Sequence, residues 1–301
     1  MTIFVLPTAK QMKRILVTGA SGFVGSRFVQ ATQHKYELLT PSHDTLEITS
    51  AKAVEQYIAD NRPDAILHLA ALSNTWYCEN NPEESYKVNV EGVENLARAA
   101  TLHSAKFVFF SSDQVYNGNC EQGLLDEAVV TNPENHYGRH KLLAEQRALE
   151  ICDNSVALRA TWMYDRHRPG MAEHANFVVN IKKAIESETP IKFATREYRG
   201  ITSVTEVIRN LPHTFYLPGG VYNFGAENTL NSYETALAYC KILGQPHSNI
   251  IIPDEERFPQ HIRNISISMR KATEASNGAI RFNDTLQGLK IFEENQQTNT
   301  H

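Results

Sequence analysis

The chain has 301 residues, 42% hydrophobic and 21% charged, with a formal net charge of −5, an ordinary globular composition with room for a large nucleotide-binding domain and a smaller region beside it. No run of basic residues suggests a nucleic-acid partner, and no apolar run approaches the roughly 20 residues of a membrane span. Cys78, Cys120, Cys152 and Cys240 are widely spaced, form no metal pattern, and read as free thiols in a reducing, cytoplasmic setting.

Residues 1–11 lack a basic segment followed by a long apolar one, so they read as an extension ahead of the first strand rather than a signal peptide. Arg14–Thr18 is a β-branched, apolar run that reads as a buried parallel strand. It leads into Gly19-Ala20-Ser21-Gly22-Phe23-Val24-Gly25 and then into a helix from Ser26. Glycines between a buried strand and a helix let backbone N–H groups approach a pyrophosphate, at the helix end that favours negative charge. The spacing is GxxGxxG, and its place in the chain points to a dinucleotide site.

Residues 36–40 read as the second strand. A carboxylate at its tip would hold the ribose hydroxyls of NAD; Thr40-Pro41-Ser42-His43 stands there instead. Small hydroxyls tolerate a 2′-phosphate, which leans toward NADP and leaves NAD open. A helix is expected over 50–60 and a strand with its exit over 63–71, where Leu69, Ala70 and Ala71 are small or apolar enough for close approach of a cofactor. His68, within that apolar strand, reads as a packed core histidine. An irregular stretch is expected to end at Asn81-Pro82, followed by one long helix over 83–102.

Residues 106–110 form the next buried strand, with Ser111, Ser112 and Asp113 at its carboxyl end, where open α/β sheets bind ligands. Further on, Tyr137 and Lys141 lie four residues apart at the start of a helix and share one face. A tyrosine with a cation one turn away is expected to have a lowered pKa and to serve as a general acid/base unit. The alternation of strands and helices predicts an α/β fold with a doubly wound parallel sheet of Rossmann type.

The glycine turn, the serine pair with Val115-Tyr116-Asn117-Gly118, and Tyr137-x-x-x-Lys141 together resemble the extended short-chain dehydrogenase/reductases over nearly the whole chain. Leu46-Glu47-Ile48-Thr49 is similar to that family's adenine-side loop, with glutamate where aspartate is usual. Residues 157–164, 176–178 and 219–225 resemble the dTDP-4-dehydrorhamnose reductase subfamily.

The resemblance implies NADP or NAD held by Gly19, Ser21, Gly22, Phe23, Val24, Gly25, Glu47, Ile48, Leu69, Ala70, Ala71, Tyr137 and Lys141. It implies catalysis by Ser112, Tyr137 and Lys141, and a nucleotide-sugar substrate against Ser111, Asp113, Gln114, Trp162 and Arg257. Dehydratases of the superfamily need an acid and a base after the serine, usually Asp-Glu; Gln114 cannot take a proton from carbon. Gln114 also departs from the rhamnose reductases, where tyrosine is usual. Two alternatives stand beside reduction: a nucleotide-sugar epimerase, and a binding protein resembling the regulatory subunit of methionine adenosyltransferase.

The dinucleotide-binding domain is expected over 12–165, with segments near 200–225 returning to it and a smaller substrate-binding region over 166–199 and 226–294. The basic loop Arg257–Arg263 could meet a diphosphate. Ser203, with Glu206 three residues on, is the expected N-cap of a helix over 202–210. Residues 295–301 read as a frayed tail, and a homodimer is compatible with the resemblance.

Overall fold

The computed structural model describes residues 12–173, 175–245 and 249–298. The expected extension over 1–11 and the last three residues of the expected tail lie outside the described residues. Apolar runs and amphipathic segments resolve, in chain order, into β1 (Arg14–Thr18), α1 (Phe23–Thr32), β2 (Glu37–Leu39), α2 (Ala51–Asn61), β3 (Ala65–His68), α3 (Thr75–Asn80), α4 (Pro82–Tyr86), α5 (Gly92–Leu102), β4 (Lys106–Ser112), α6 (His136–Ile151) and β5 (Val156–Ala160). There follow β6 (Trp162–Tyr164), α7 (Phe177–Glu186), β7 (Ile191–Ala194), β8 (Glu197–Arg199), β9 (Ile201–Ser203), α8 (Val204–Thr214), β10 (Gly220–Phe224) and α9 (Ser232–Ile242). The last elements are β11 (Ile251–Asp254), β12 (Arg263–Ile265), α10 (Arg270–Ala275) and α11 (Thr285–Thr298).

Six strands, all paired in parallel, form the central sheet in the order β10-β5-β4-β3-β1-β2. Side chains of a strand alternate between faces, and both faces here are apolar. Ile15, Val17 and Val108 join Phe28 of α1 and Val204, Val207 and Leu211 of α8 in one core cluster. Leu16, Phe107 and Phe109 join Val54 of α2, Val93 and Leu96 of α5, and Ala144 of α6 in the other. Helices thus cover both faces, the doubly wound arrangement expected from the sequence. The chain leaves β1 toward β2 on one side, while β3 lies on the other. The winding reverses between β1 and β3, and the crevice at the carboxyl ends of these strands is where such sheets take ligands.

Among the described residues, three two-stranded parallel sheets, β6-β9, β7-β11 and β8-β12, make up the remaining strand structure. A third core cluster, built from Tyr164, Phe177, Ile181, Tyr239 and Leu289 among others, takes in residues of β6, β7, β9 and β11, while Ile265 of β12 belongs to the first cluster.

Several elements differ from the sequence reading, each for a local reason. The stretch before Pro82 is helical, because the Asn74 carboxamide oxygen accepts from the Tyr77 amide at 2.9 Å and caps α3. The long helix expected over 83–102 is broken by a π turn, Lys87–Glu91, between α4 and α5. That turn carries the buried Asn89, whose side chain accepts from the Leu72 amide at 3.1 Å and donates to the Leu72 carbonyl at 2.9 Å. It thereby fastens the loop that leaves β3. Ser203 precedes α8 but makes no side-chain cap; its backbone belongs to β9 and pairs in register with Tyr164. The last helix continues to Thr298 rather than fraying after residue 294.

Candidate active site

A cavity of about 480 Å³ opens at the carboxyl ends of β1, β3 and β4 and extends to β6 and β8. At one end is the glycine turn. Gly19 has φ +69°, and a Cβ there would come within 2.6 Å of the Ala70 amide nitrogen; a side chain at Gly25 would run into the Gly19 carbonyl. Only glycine lets α1 start this close to the strand ends. Gly22 is the N-cap of α1 and has no side chain to satisfy the first-turn N–H groups, while Gly22, Phe23, Val24 and Gly25 line the cavity. A side-chain-free cradle at a helix N-terminus fits a dinucleotide pyrophosphate.

Among the residues expected to hold the cofactor, Gly19, Leu69 and Ala71 also line this cavity. Four others do not. Ser21 is exposed, and Ala70 packs its backbone on Gly19. Glu47 is committed within its own turn: one oxygen accepts from the Thr49 amide and hydroxyl, both at 2.9 Å, and the other pairs with His43. Ile48 is buried in the core beside α5. His68 is also a core residue; its Nδ1 lies 2.7 Å from the Thr18 hydroxyl, and burial pushes its pKa down to about 3, keeping the ring neutral.

Ser112, Tyr137 and Lys141 all line the middle of the cavity. The α6 start is fixed by Asn135, whose side-chain oxygen accepts from the Gly138 amide at 2.7 Å. Gly138 is pressed against the short turn after β4, where a Cβ would come within 2.5 Å of the Gln114 carbonyl. This contact brings Tyr137 beside Ser112, whose hydroxyl donates to Asp113 and accepts from the Gln114 amide, both at 3.2 Å.

Burial pushes the Tyr137 phenol well above its ordinary pKa, against the opposing effect of the neighbouring Ser112 hydroxyl. The sequence-level expectation that Lys141 would lower this pKa is therefore corrected: desolvation dominates. Lys141 is itself pushed down to about 8 by burial. Its Nζ donates to the Phe110 carbonyl at 2.8 Å and lies 5.8 Å from the Tyr137 ring centroid. Ser111 reaches the cavity surface, but its hydroxyl donates to Glu145.

Asp113, Gln114, Trp162 and Arg257 line the far end, together with Arg199 and Arg263. These side chains form one connected wall. The Gln114 amide donates to Asp113 at 3.2 Å and accepts from Arg263 at 2.8 Å. Arg263 also pairs with Glu197, and Arg199 lies 3.5 Å from Asp113 and 4.8 Å over the Trp162 ring. Burial raises the Asp113 carboxyl pKa, and Arg199 and Arg263 oppose the shift. Arg199 was not singled out from sequence, because β8 carries no motif. Among the described residues, no cluster of His, Cys, Asp and Glu is arranged to hold a metal, and no helix is long and apolar enough to cross a membrane.

The family model described as RmlD substrate binding domain matches residues 12–286. The chain is 26% identical to a dTDP-4-dehydrorhamnose reductase of Aggregatibacter actinomycetemcomitans, over 75% of this chain and 78% of that protein. It is equally 26% identical to the methionine adenosyltransferase 2 subunit beta of Bos taurus, over 79% and 74% respectively. The crystal structure of dTDP-4-dehydrorhamnose reductase from Bacillus anthracis in complex with NADP superimposes with a TM-score of 0.80 at 22% identity, covering 95% of this chain and all of that one. With the glycine cradle, the Ser112–Tyr137–Lys141 centre and a family match over most of its length, the chain belongs to the RmlD substrate binding domain family of extended short-chain dehydrogenase/reductases.

Proposed function

We propose that this protein reduces the 4-keto group of a nucleotide-linked 6-deoxy sugar at the expense of NADPH or NADH. The observation that carries the reading is the placement of Ser112, Tyr137 and Lys141 on one cavity, between the glycine cradle and a wall of Trp162 and arginines. The cofactor, when bound, supplies hydride to the carbonyl carbon. Tyr137 gives its proton to the carbonyl oxygen as negative charge develops there. A phenol held protonated by burial suits a donor, and reduction needs a donor rather than a base. Ser112 orients the carbonyl oxygen through its hydroxyl. Lys141, an ammonium below about pH 8, places positive charge beside the developing oxyanion and offers N–H donors to the cofactor ribose.

At the far end, Trp162 covers the C–H face of the sugar, and Arg257, exposed at the cavity mouth, meets the diphosphate. Asp113-Gln114 lacks the acid–base pair that 4,6-dehydration needs. The same chain with this site intact but idle is the regulatory reading that likeness to a methionine adenosyltransferase subunit raises; the Ser-Tyr-Lys set favours catalysis. The four free cysteines suit a reducing cytoplasm.

The test is NADPH and NADH oxidation followed at 340 nm with dTDP- and GDP-linked 4-keto-6-deoxy sugars. Turnover with at least one supports the reading, and no turnover with any of them refutes it.

A further inference from the structure

Glu145 does not line the cavity, yet it is where the catalytic helix is fastened to the sheet. Tyr137, Lys141 and Glu145 follow one another at four-residue intervals on α6, so they share a face, and all three are buried. That face meets the end of β4 at three consecutive residues. Lys141 Nζ donates to the Phe110 carbonyl at 2.8 Å, the Ser111 hydroxyl donates to Glu145, and Tyr137 faces Ser112.

Arg159 on β5 stands opposite Ser111 in the strand register and closes on both carboxylate oxygens of Glu145. Its Nε donates to Oε1 at 3.0 Å and its Nη2 to Oε2 at 2.7 Å. Its remaining nitrogen, Nη1, donates to the Tyr116 hydroxyl at 2.6 Å, which in turn donates to the Asn223 side-chain oxygen on β10 at 3.1 Å. One carboxylate thus ties α6 to β4 and β5, with a link onward to β10. A buried ion pair contributes little stability over apolar residues of the same volume. What this pair supplies is fixed geometry and a fixed charge.

We propose that Glu145 is a positioning residue for reduction: with Arg159 and Ser111 it sets the register of α6 on β4, and its carboxylate adds negative charge one turn beyond the Lys141 ammonium. The other titratable groups that bear on Lys141 are Cys78 on α3, His68 on β3 and Tyr137 on α6 itself. Of these, His68 is neutral in the working range, and Tyr137 keeps its proton. Cys78 and Glu145 both favour the charged amine against burial, and Glu145 is the carboxylate among these groups.

This inference deepens the proposed reduction and rests on it for the kinetic readout, but the titration of Lys141 tests it independently. The full-length protein is labelled with ¹³Cε-lysine, and the Lys141 resonance is titrated in the wild type and in Glu145→Gln, alongside kcat and KM across pH. The midpoint in Glu145→Gln is expected to fall by about half a unit to one unit. The alkaline fall in kcat is expected to move with it, while KM for the nucleotide sugar stays within about twofold. If Glu145→Gln does not fold, the double variant Glu145→Leu/Arg159→Met keeps the volume apolar and decides the matter by the same two readouts.

A folded variant whose Lys141 midpoint and pH profile match the wild type overturns the proposal. A wild type without turnover refutes the reductase reading alone, and the Lys141 midpoints still decide the role of Glu145.

Discussion

Lys141 stands one turn beyond Tyr137 on α6, its Nζ 5.8 Å from the Tyr137 ring centroid and 2.8 Å from the Phe110 carbonyl it donates to. The two residues are titrated apart by burial: the phenol is driven up and the amine is driven down to about 8. The alkaline limb of activity therefore belongs to the lysine. We predict that kcat is level from pH 6 to 7.5 and falls about tenfold per pH unit above roughly 8, as the Lys141 ammonium loses its proton. Steady-state rates across this range check it; a limb that first begins above about pH 10 would assign the loss to the phenol instead.

The glycine turn gives a second prediction. Gly25→Ala places a methyl group against the Gly19 carbonyl and the Ala20 backbone, which cannot move without shifting the end of β1. Overpacking of this kind costs about 1–3 kcal/mol, and it also closes the cradle. The variant is expected to lose NADPH binding, read by quenching of intrinsic fluorescence, and to unfold at a lower denaturant concentration. Wild-type cofactor affinity in a folded Gly25→Ala protein would remove the cradle from the account.

How much of this was legible in the sequence depends on the range of the interaction concerned. Gly19, Gly22 and Gly25 could be read because a strand-to-helix turn is local, and Tyr137 and Lys141 because helical spacing is local. Arg199 could not, since its place over Trp162 depends on the pairing of β6 with β9 and of β8 with β12. Glu47 was read as a cofactor contact from a family pattern, while its contacts to Thr49 and His43 come from the local turn and could not be read from that pattern. The direction of the Tyr137 shift was missed for a related reason: charge is visible in a sequence, while desolvation is a property of the packed fold.

Arg199 supplies the third prediction. Its guanidinium lies over Trp162 and beside Asp113, so its loss frees the indole and leaves a buried carboxylate with a weaker counter-charge. Arg199→Ala is expected to raise KM for the nucleotide sugar about tenfold, equivalent to roughly 1.4 kcal/mol and within the range of a desolvated cation–π contact. KM for NADPH should be unchanged. An equal rise in both constants would mean that the variant disturbs the whole cavity rather than the sugar end.

His68 yields a prediction about stability. Its pKa is about 3 in the fold and 6.5 by its ordinary value, so below pH 6.5 the unfolded chain binds a proton that the folded protein refuses. The stabilising contribution of the neutral ring is complete above pH 6.5 and declines as pH falls toward 3, by up to about 1.4 kcal/mol per pH unit. His68→Leu should be less stable at pH 7, because the Thr18 hydroxyl loses its partner. Its deficit relative to wild type should then shrink between pH 6.5 and 4.5 in urea titrations. A deficit independent of pH would show that the histidine is not held neutral.

The central claim is that Tyr137 protonates a sugar ketone as hydride arrives, and it is tested most directly by single-turnover NADPH oxidation with a nucleotide-linked 4-keto-6-deoxy sugar, comparing wild type with Tyr137→Phe. The phenylalanine keeps the ring and removes the hydroxyl, and the transferable proton with it. The account predicts that the variant still binds NADPH but oxidises it about 10²–10⁴-fold more slowly. Wild-type oxidation by Tyr137→Phe would contradict it.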